Sequence, residues 1–222
     1  MIQNYDTTAP IAVVLDVPGG RVQLIAADRA DAVVEVLPAD PSKHRDVTLA
    51  DLTTVDFRDG VLRIDASTRN EALGDPGSLD VTVKLPAGSR IDVTAARADI
   101  RGVGRFGDAV VTGSQGSITL EEGARARLTT LAGSITLGRV HGAAQLSTEQ
   151  GDVQVAEAAR DTVELRTQAG NVSVGAAAGV SASLDAGTGY GRIHNSLRNT
   201  EGTADLQIHA TTGYGDITAR SL

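Results

Sequence analysis

Cysteine and tryptophan are absent from this chain of 222 residues, and its aromatic residues are three tyrosines and two phenylalanines, 2% of the whole. Without cysteine there is no disulfide scaffold, and a cytosolic setting is the simpler expectation. The shortage of aromatics excludes the usual core anchored on Phe, Tyr or Trp. The interior must instead be assembled from many thin layers of Val, Ile, Leu and Ala, a filling that suits a repetitive structure. Clusters of Lys and Arg beyond an isolated pair are also missing, and the formal net charge is −8. That balance argues against a nucleic-acid partner and against an anionic membrane surface. Long hydrophobic runs are lacking as well. The stretch Ile11 to Leu15 is too short for a signal core or a membrane span, and the segment from Met1 has no basic region before it. The expectation is a protein that is cytoplasmic as written and not inserted in a membrane, with association at a cell surface left open.

What is present is glycine, 25 residues of it, set in a repeat. Between Val111 and Val174 one phrase recurs four times: Gly116-Ser-Ile-Thr-Leu120, Gly133-Ser-Ile-Thr-Leu137, Gly151-Asp-Val-Gln-Val155 and Gly170-Asn-Val-Ser-Val174. Aligned from Ile91 onward, the second strand of each unit carries Ile100, Ile118, Ile135, Val153, Val172, Ile193 and Ile217. By subtraction the steps are 18, 17, 18, 19, 21 and 24. The first strand carries Val93, Val111, Leu128, Leu146, Leu165, Leu184 and Ile208, which lie 7 residues before their partners in five units and 9 in the last two. This predicts strand, glycine corner, strand and return loop, stacked coil on coil as an all-β solenoid of coils of about 18–24 residues with two main strands each. Alternation along a strand puts Ile135 and Leu137 inside and Ser134 and Thr136 outside. Thr130, Thr148 and Thr167 fall in register and suggest an internal ladder of hydroxyls.

The first ninety residues are less regular. Strands are expected at Ile11–Leu15, Val22–Ala26, Ala32–Leu37, Val61–Asp65 and Leu79–Leu85, punctuated by Pro18-Gly19-Gly20, Asp59-Gly60 and Gly74-Asp-Pro76-Gly77. No helical period stands out, and residues 38–50 read as an exposed excursion. We therefore expect early, irregular coils over 1–90 and regular repeats over 91–222, within one continuous domain.

Val17-Pro-Gly-Gly-Arg-Val22, Leu79-Asp-Val-Thr-Val-Lys-Leu-Pro86 and the recurring Gly-x-Ile/Val-x-Leu/Val together resemble the bacterial adhesin-like family of β-strand-repeat proteins, a domain of unknown function numbered 4097. The resemblance spans nearly the whole chain. It implies a single-stranded, right-handed β-helix and an adhesin-like role, and brings no catalytic motif.

Candidate functional residues lie where the last two repeats depart from the others, at Gly187-Thr-Gly-Tyr190-Gly-Arg-Ile193 and Thr211-Thr-Gly-Tyr214-Gly-Asp-Ile217. Each is expected to carry a two-residue insertion at its corner, so that Tyr190 and Tyr214 stack on one edge. Such a pair could meet a sugar ring or a protein, or could simply pack on itself. With Arg192, His194 and Asp216 it forms the candidate interaction edge. The run Gly187-x-Gly189-x-Gly191 does not read as a phosphate loop, because the spacing is wrong and no helix follows. The outward residues Asp185, Gln207 and His209 add polarity, but strand alternation alone does not converge three ligands on a metal. The outward row Asp152, Asn171, Arg192 and Asp216 is diluted by Ser117 and Ser134, so the paired carboxylates of a polysaccharide lyase or hydrolase are not evident.

The leading expectation is a non-enzymatic binding or scaffold module, without cofactor or metal, that presents a polar repetitive surface to an unknown protein or glycan. A self-assembling cytoplasmic scaffold, a homo-oligomer joined through an uncapped C-terminal coil, is the alternative. A lyase-like β-helix is the second alternative.

Overall fold

A computed structural model describes residues 1–66, 77–199 and 203–222. The turn expected at Gly74-Asp-Pro76 lies outside the described residues. Two compact units, Met1–Gly116 and Ser117–Leu222, account for the chain.

The first unit is built around one long strand. β2 (Ala12–Ala27) is continuous where two strands were expected. Pro18 has no N–H to give, and it sits in the gap of the ladder between Val17, paired with Ala95, and Gly19, paired with Arg97. The Pro-Gly-Gly segment thus bends a strand instead of ending it. On one side of β2 lie β5 (Val61–Asp65), against its first half, and β6 (Leu79–Pro86), against its second half, both parallel. On the other side β7 (Arg90–Gln115) runs parallel to both halves. Antiparallel strands finish the arrangement: β3 (Asp31–Pro38) on β6, β1 (Ile2–Asp6) on β3, and β4 (Thr54–Arg58) on β5. The alternation expected for Leu79, Val81, Val83 and Leu85 is present, and all four are buried.

Of the exposed excursion expected at residues 38–50, 41–45 are exposed, but the segment also contains the start of a helix, α1 (His44–Leu52), whose inner face is buried. Nine residues with few apolar positions give almost no periodic signal. Tertiary contacts hold the helix instead: Leu49 and Ala50 are buried, and the buried Asp46 carboxylate accepts the backbone N–H of Ser78 (3.0 Å) and of Asp40 (3.2 Å). A buried carboxylate held by two backbone donors ties the ends of two loops together.

The second unit is the regular part. Its strands are β8 (Ile118–Thr129), β9 (Ile135–Val140), β10 (Ala144–Gln150), β11 (Val153–Ala158), β12 (Asp161–Ala169), β13 (Val172–Ala176), β14 (Ala182–Tyr190), β15 (Ile193–Ser196), β16 (Leu206–Tyr214) and β17 (Ile217–Ser221). They form two series of parallel pairings. One runs from the second half of β8 through β10, β12 and β16 to β14. The other runs from the first half of β8 through β9, β11, β13 and β17 to β15. Each coil joins one strand of each series across a glycine corner. The protein is all-β, and its sheets are open rather than closed on themselves.

Stacking does not follow the chain. The final coil, β16 and β17, lies between the coil of β12 and β13 and the coil of β14 and β15. The expectation that the last coil is uncapped is therefore corrected: both its strands are paired on both sides, and the coil with open edges is the one before it. Three side-chain and backbone columns repeat this order. A Cβ placed on Gly215, where φ is +148°, would lie 2.0 Å from the Gly170 carbonyl oxygen, and one on Gly191 would lie 1.9 Å from that of Gly215. Only glycine permits both that backbone conformation and that approach. The threonines form the second column, with Oγ1 of Thr148, Thr167, Thr212 and Thr188 donating to the carbonyls of Gly133, Gly151, Gly170 and Gly215 at 2.9–3.0 Å. The hydroxyls thus cap corner carbonyls of the adjacent coil and do not bond one another. Among the described residues Thr130 Oγ1 is buried with no partner.

Candidate interaction surface

The third column is polar and outward, and it organises the candidate edge. Ser134 Oγ accepts the N–H of Asp152 (3.3 Å), Asp152 Oδ1 that of Asn171 (2.7 Å), Asn171 Oδ1 that of Asp216 (2.9 Å), and Asp216 Oδ1 that of Arg192 (2.8 Å). The row that looked like a diluted set of acids is a ladder of side-chain acceptors, each satisfying a corner N–H of the next coil. It stops at Arg192, whose guanidinium has no acceptor to offer.

Beside this ladder runs the tyrosine column. The corner of β16 and β17 contains no insertion: Thr167, Ala169 and Val172 face Thr212, Tyr214 and Ile217 in register, and Leu165 faces Ala210. The apparent two-residue excess came from matching Ile208 to Leu165, whereas Ile208 faces Val163 and Leu184. A nine-residue alternating strand offers several apolar positions, and the largest was the wrong one to align. Tyrosine simply replaces Ala169 and Gln150 at one position of the column. Tyr190 and Tyr214 do stack, with ring centroids 5.1 Å apart and planes 5° from parallel, and they remain 72% and 63% exposed. Since Tyr190 belongs to the outermost coil, no strand of this unit among the described residues lies on the far side of its ring.

The other candidate residues divide between the two series. His209 and Asp185 are cross-strand neighbours, Nδ1 to Oδ2 3.4 Å, in the series containing β14 and β16. His194 faces Thr218 in the other series. The two histidines do not converge, and no group of three metal-ligating side chains occurs among the described residues. A charged cluster that no motif along the chain singles out lies on the outward side of β9 and its neighbours. Arg139 contacts Glu157 at 3.0 Å and Glu122 at 3.9 Å, and His141 Nε2 lies 2.8 Å from Glu122. The hydrogen bond to Glu157, reinforced by the charges of both glutamates, holds the guanidinium above its ordinary pKa. Only the register of three successive coils, β8 on β9 on β11, brings these residues together. No helix among the described residues is long and apolar enough to cross a membrane.

A family model, Toastrack DUF4097, matches residues 12–221. The chain belongs to that family. A comparison with curated proteins finds no match. Among solved structures the chain is similar to a candidate adhesin from Bacteroides fragilis NCTC 9343, with TM-score 0.51, 12% identity, and 99% of this chain and 96% of that one covered. It is also similar to a protein from Parabacteroides distasonis ATCC 8503 described as a candidate lipid-binding protein, with TM-score 0.43, 14% identity, and coverage of 99% and 96%. At 12% identity the likeness to the Bacteroides fragilis protein speaks to the fold alone, a solenoid-like stack of strands.

Proposed function

We propose that this Toastrack chain is a non-enzymatic binding module that engages a protein or glycan partner through the edge marked by Tyr190 and Tyr214, flanked by Arg192, His194 and Asp216. The observation that carries this reading is the exposure of the stacked pair. In a chain so poor in aromatic side chains, two of them are placed on the surface, where they contribute little to the core. A flat aromatic face with a cation and a carboxylate beside it can stack on a sugar ring or an aliphatic side chain while the charged groups fix its orientation. The winding belongs to the same reading: a right-handed, single-stranded coil, as parallel crossover connections favour. The candidate adhesin of similar fold supports a binding role. Replacing both tyrosines, Tyr190→Ala with Tyr214→Ala, is expected to leave the urea midpoint nearly unchanged and to remove ligands found by glycan array or pull-down with the wild type. Retention of every such ligand by the double variant would show the edge to be structural.

A further inference from the structure

We propose that the coil of β14 and β15 is a homodimer interface, in which a second copy of this chain pairs with it antiparallel about a two-fold axis running along the coil's cross-section through the Gly191 corner. This inference does not rest on the ligand-binding reading, and the two compete for the free face of Tyr190.

Open hydrogen-bonding edges are the first reason. β14 pairs only with β16 and β15 only with β17, so beyond Ala182, whose N–H on the free side donates to the Arg198 carbonyl (3.3 Å), one edge of each strand has no partner strand among the described residues. Sheet edges left in this state are templates for another chain unless they are blocked. Lysine, proline and bulges are absent from both strands.

The core is open at the same place. Ile193 is 46% exposed and Leu184 is half-buried, while the corresponding Ile217, Val172 and Ile208 are at most 1% exposed. A second copy would cover the inward row that every other coil of this unit has covered by a neighbour, and covering apolar surface is the main favourable term in association.

The ladder and the charges fix the mode of pairing. Parallel stacking of another coil, which would repeat head to tail without closing, needs an acceptor for the next corner N–H. Arg192 supplies only donors at that position. Antiparallel pairing about a two-fold makes no such demand and closes at two copies. β14 carries one charge, Asp185, with its side chain 84% exposed. Residues 191–199 carry Arg192, His194 and Arg198 and no acid. An axis through the corner exchanges the two legs, so β14 of each copy faces β15 of the other, acid against base, and the free faces of the two Tyr190 rings approach each other. The alternative two-fold, β14 on β14, would forgo that complementarity.

Sedimentation velocity over a concentration series tests the proposal with the full chain. The wild type is expected to pass from monomer to a plateau at dimer. Ile193→Lys, at a position already exposed, is expected to weaken dimerisation at least about tenfold with the urea midpoint unchanged. Asp185→Arg is expected to weaken it as well, and Asp185→Arg with Arg198→Asp to restore it, because like charges set opposite each other are penalised. A monomer at every soluble concentration, growth past two copies without a plateau, or a dimer indifferent to Ile193→Lys would each overturn the interface. Failure of the charge pair to restore association would overturn the leg-to-leg pairing.

Discussion

The threonine column offers a comparison in which one residue type at one structural position should respond with opposite sign. Thr212 is buried and its hydroxyl donates to the Gly170 carbonyl at 2.9 Å. Thr130 is equally buried, and its hydroxyl has no partner among the described residues. Valine keeps the branched shape and the strand preference, so Thr→Val isolates the hydroxyl. Thr212→Val breaks a buried bond and leaves a corner carbonyl short of a donor, and is expected to cost about 1–3 kcal/mol. Thr130→Val removes a desolvated, unpaired hydroxyl and is expected to be neutral or to stabilise by about 1 kcal/mol. For a chain of this length each kcal/mol moves the melting temperature by roughly 2–4 °C, so the difference of about 1–4 kcal/mol should set the two melting temperatures roughly 2–16 °C apart. Urea denaturation followed by circular dichroism, with calorimetry as a second probe, reads both shifts. Equal losses in the two variants would refute the assignment of the column's stability to hydroxyl-to-carbonyl bonds.

Close approach of corners predicts a second contrast. Gly215→Ala combines a strained φ with a contact of 2.0 Å to backbone that is fixed on both sides and should cost about 3 kcal/mol or more, whereas Gly179→Ala, at φ +79° with nothing within 4 Å, should cost about 1 kcal/mol. Comparable urea midpoints for the two would count against tight stacking at Gly215. Asp16 lies beside Asp65 across the β2–β5 pair, and partial burial, then the neighbouring carboxylate, raises its pKa. The raised value makes ionisation unfavourable in the folded state, so Asp16 detracts from stability at neutral pH and the loss is relieved as pH falls through its folded pKa. Asp16→Asn should therefore raise the melting temperature at pH 7 and lose that advantage near pH 3; an advantage that persists in acid would contradict it. Arg139→Ala, despite two ion pairs, should cost under about 1 kcal/mol in the same denaturation assay, since the pairs are solvated.

Much of this architecture is legible along the chain because corners and strands are local. The apolar alternation, the glycine before each inward Ile or Val, and the near-absence of aromatics from the core all follow from what each residue does within a few neighbours. Ile118, Ile135, Val153, Val172 and Ile217 are buried as the repeat implies. The helix at His44–Leu52 escaped because it is held by Leu49 and by the Asp46 carboxylate reaching Ser78, 32 residues away, and not by its own period. The insertion assigned to the tyrosine corners was an alignment error that only register could expose.

Sequence by itself determined the grammar of a single coil: two strands, a corner where only glycine fits, a threonine turned inward, and an outward polar residue after the corner glycine. It could not determine which coil lies on which, because coils with the same grammar offer nearly the same edges to one another. The long final step of 24 residues, from Ile193 to Ile217, was the one trace of the reversal, since a chain that doubles back needs extra length. Tertiary pairing decided that Tyr214 is inside the stack and Tyr190 at its edge, that the acceptor ladder ends on Arg192, and that Ile193 is left half in water. Those features follow from the order of the coils, which only the pairing of β16 and β17 between their two neighbours reveals.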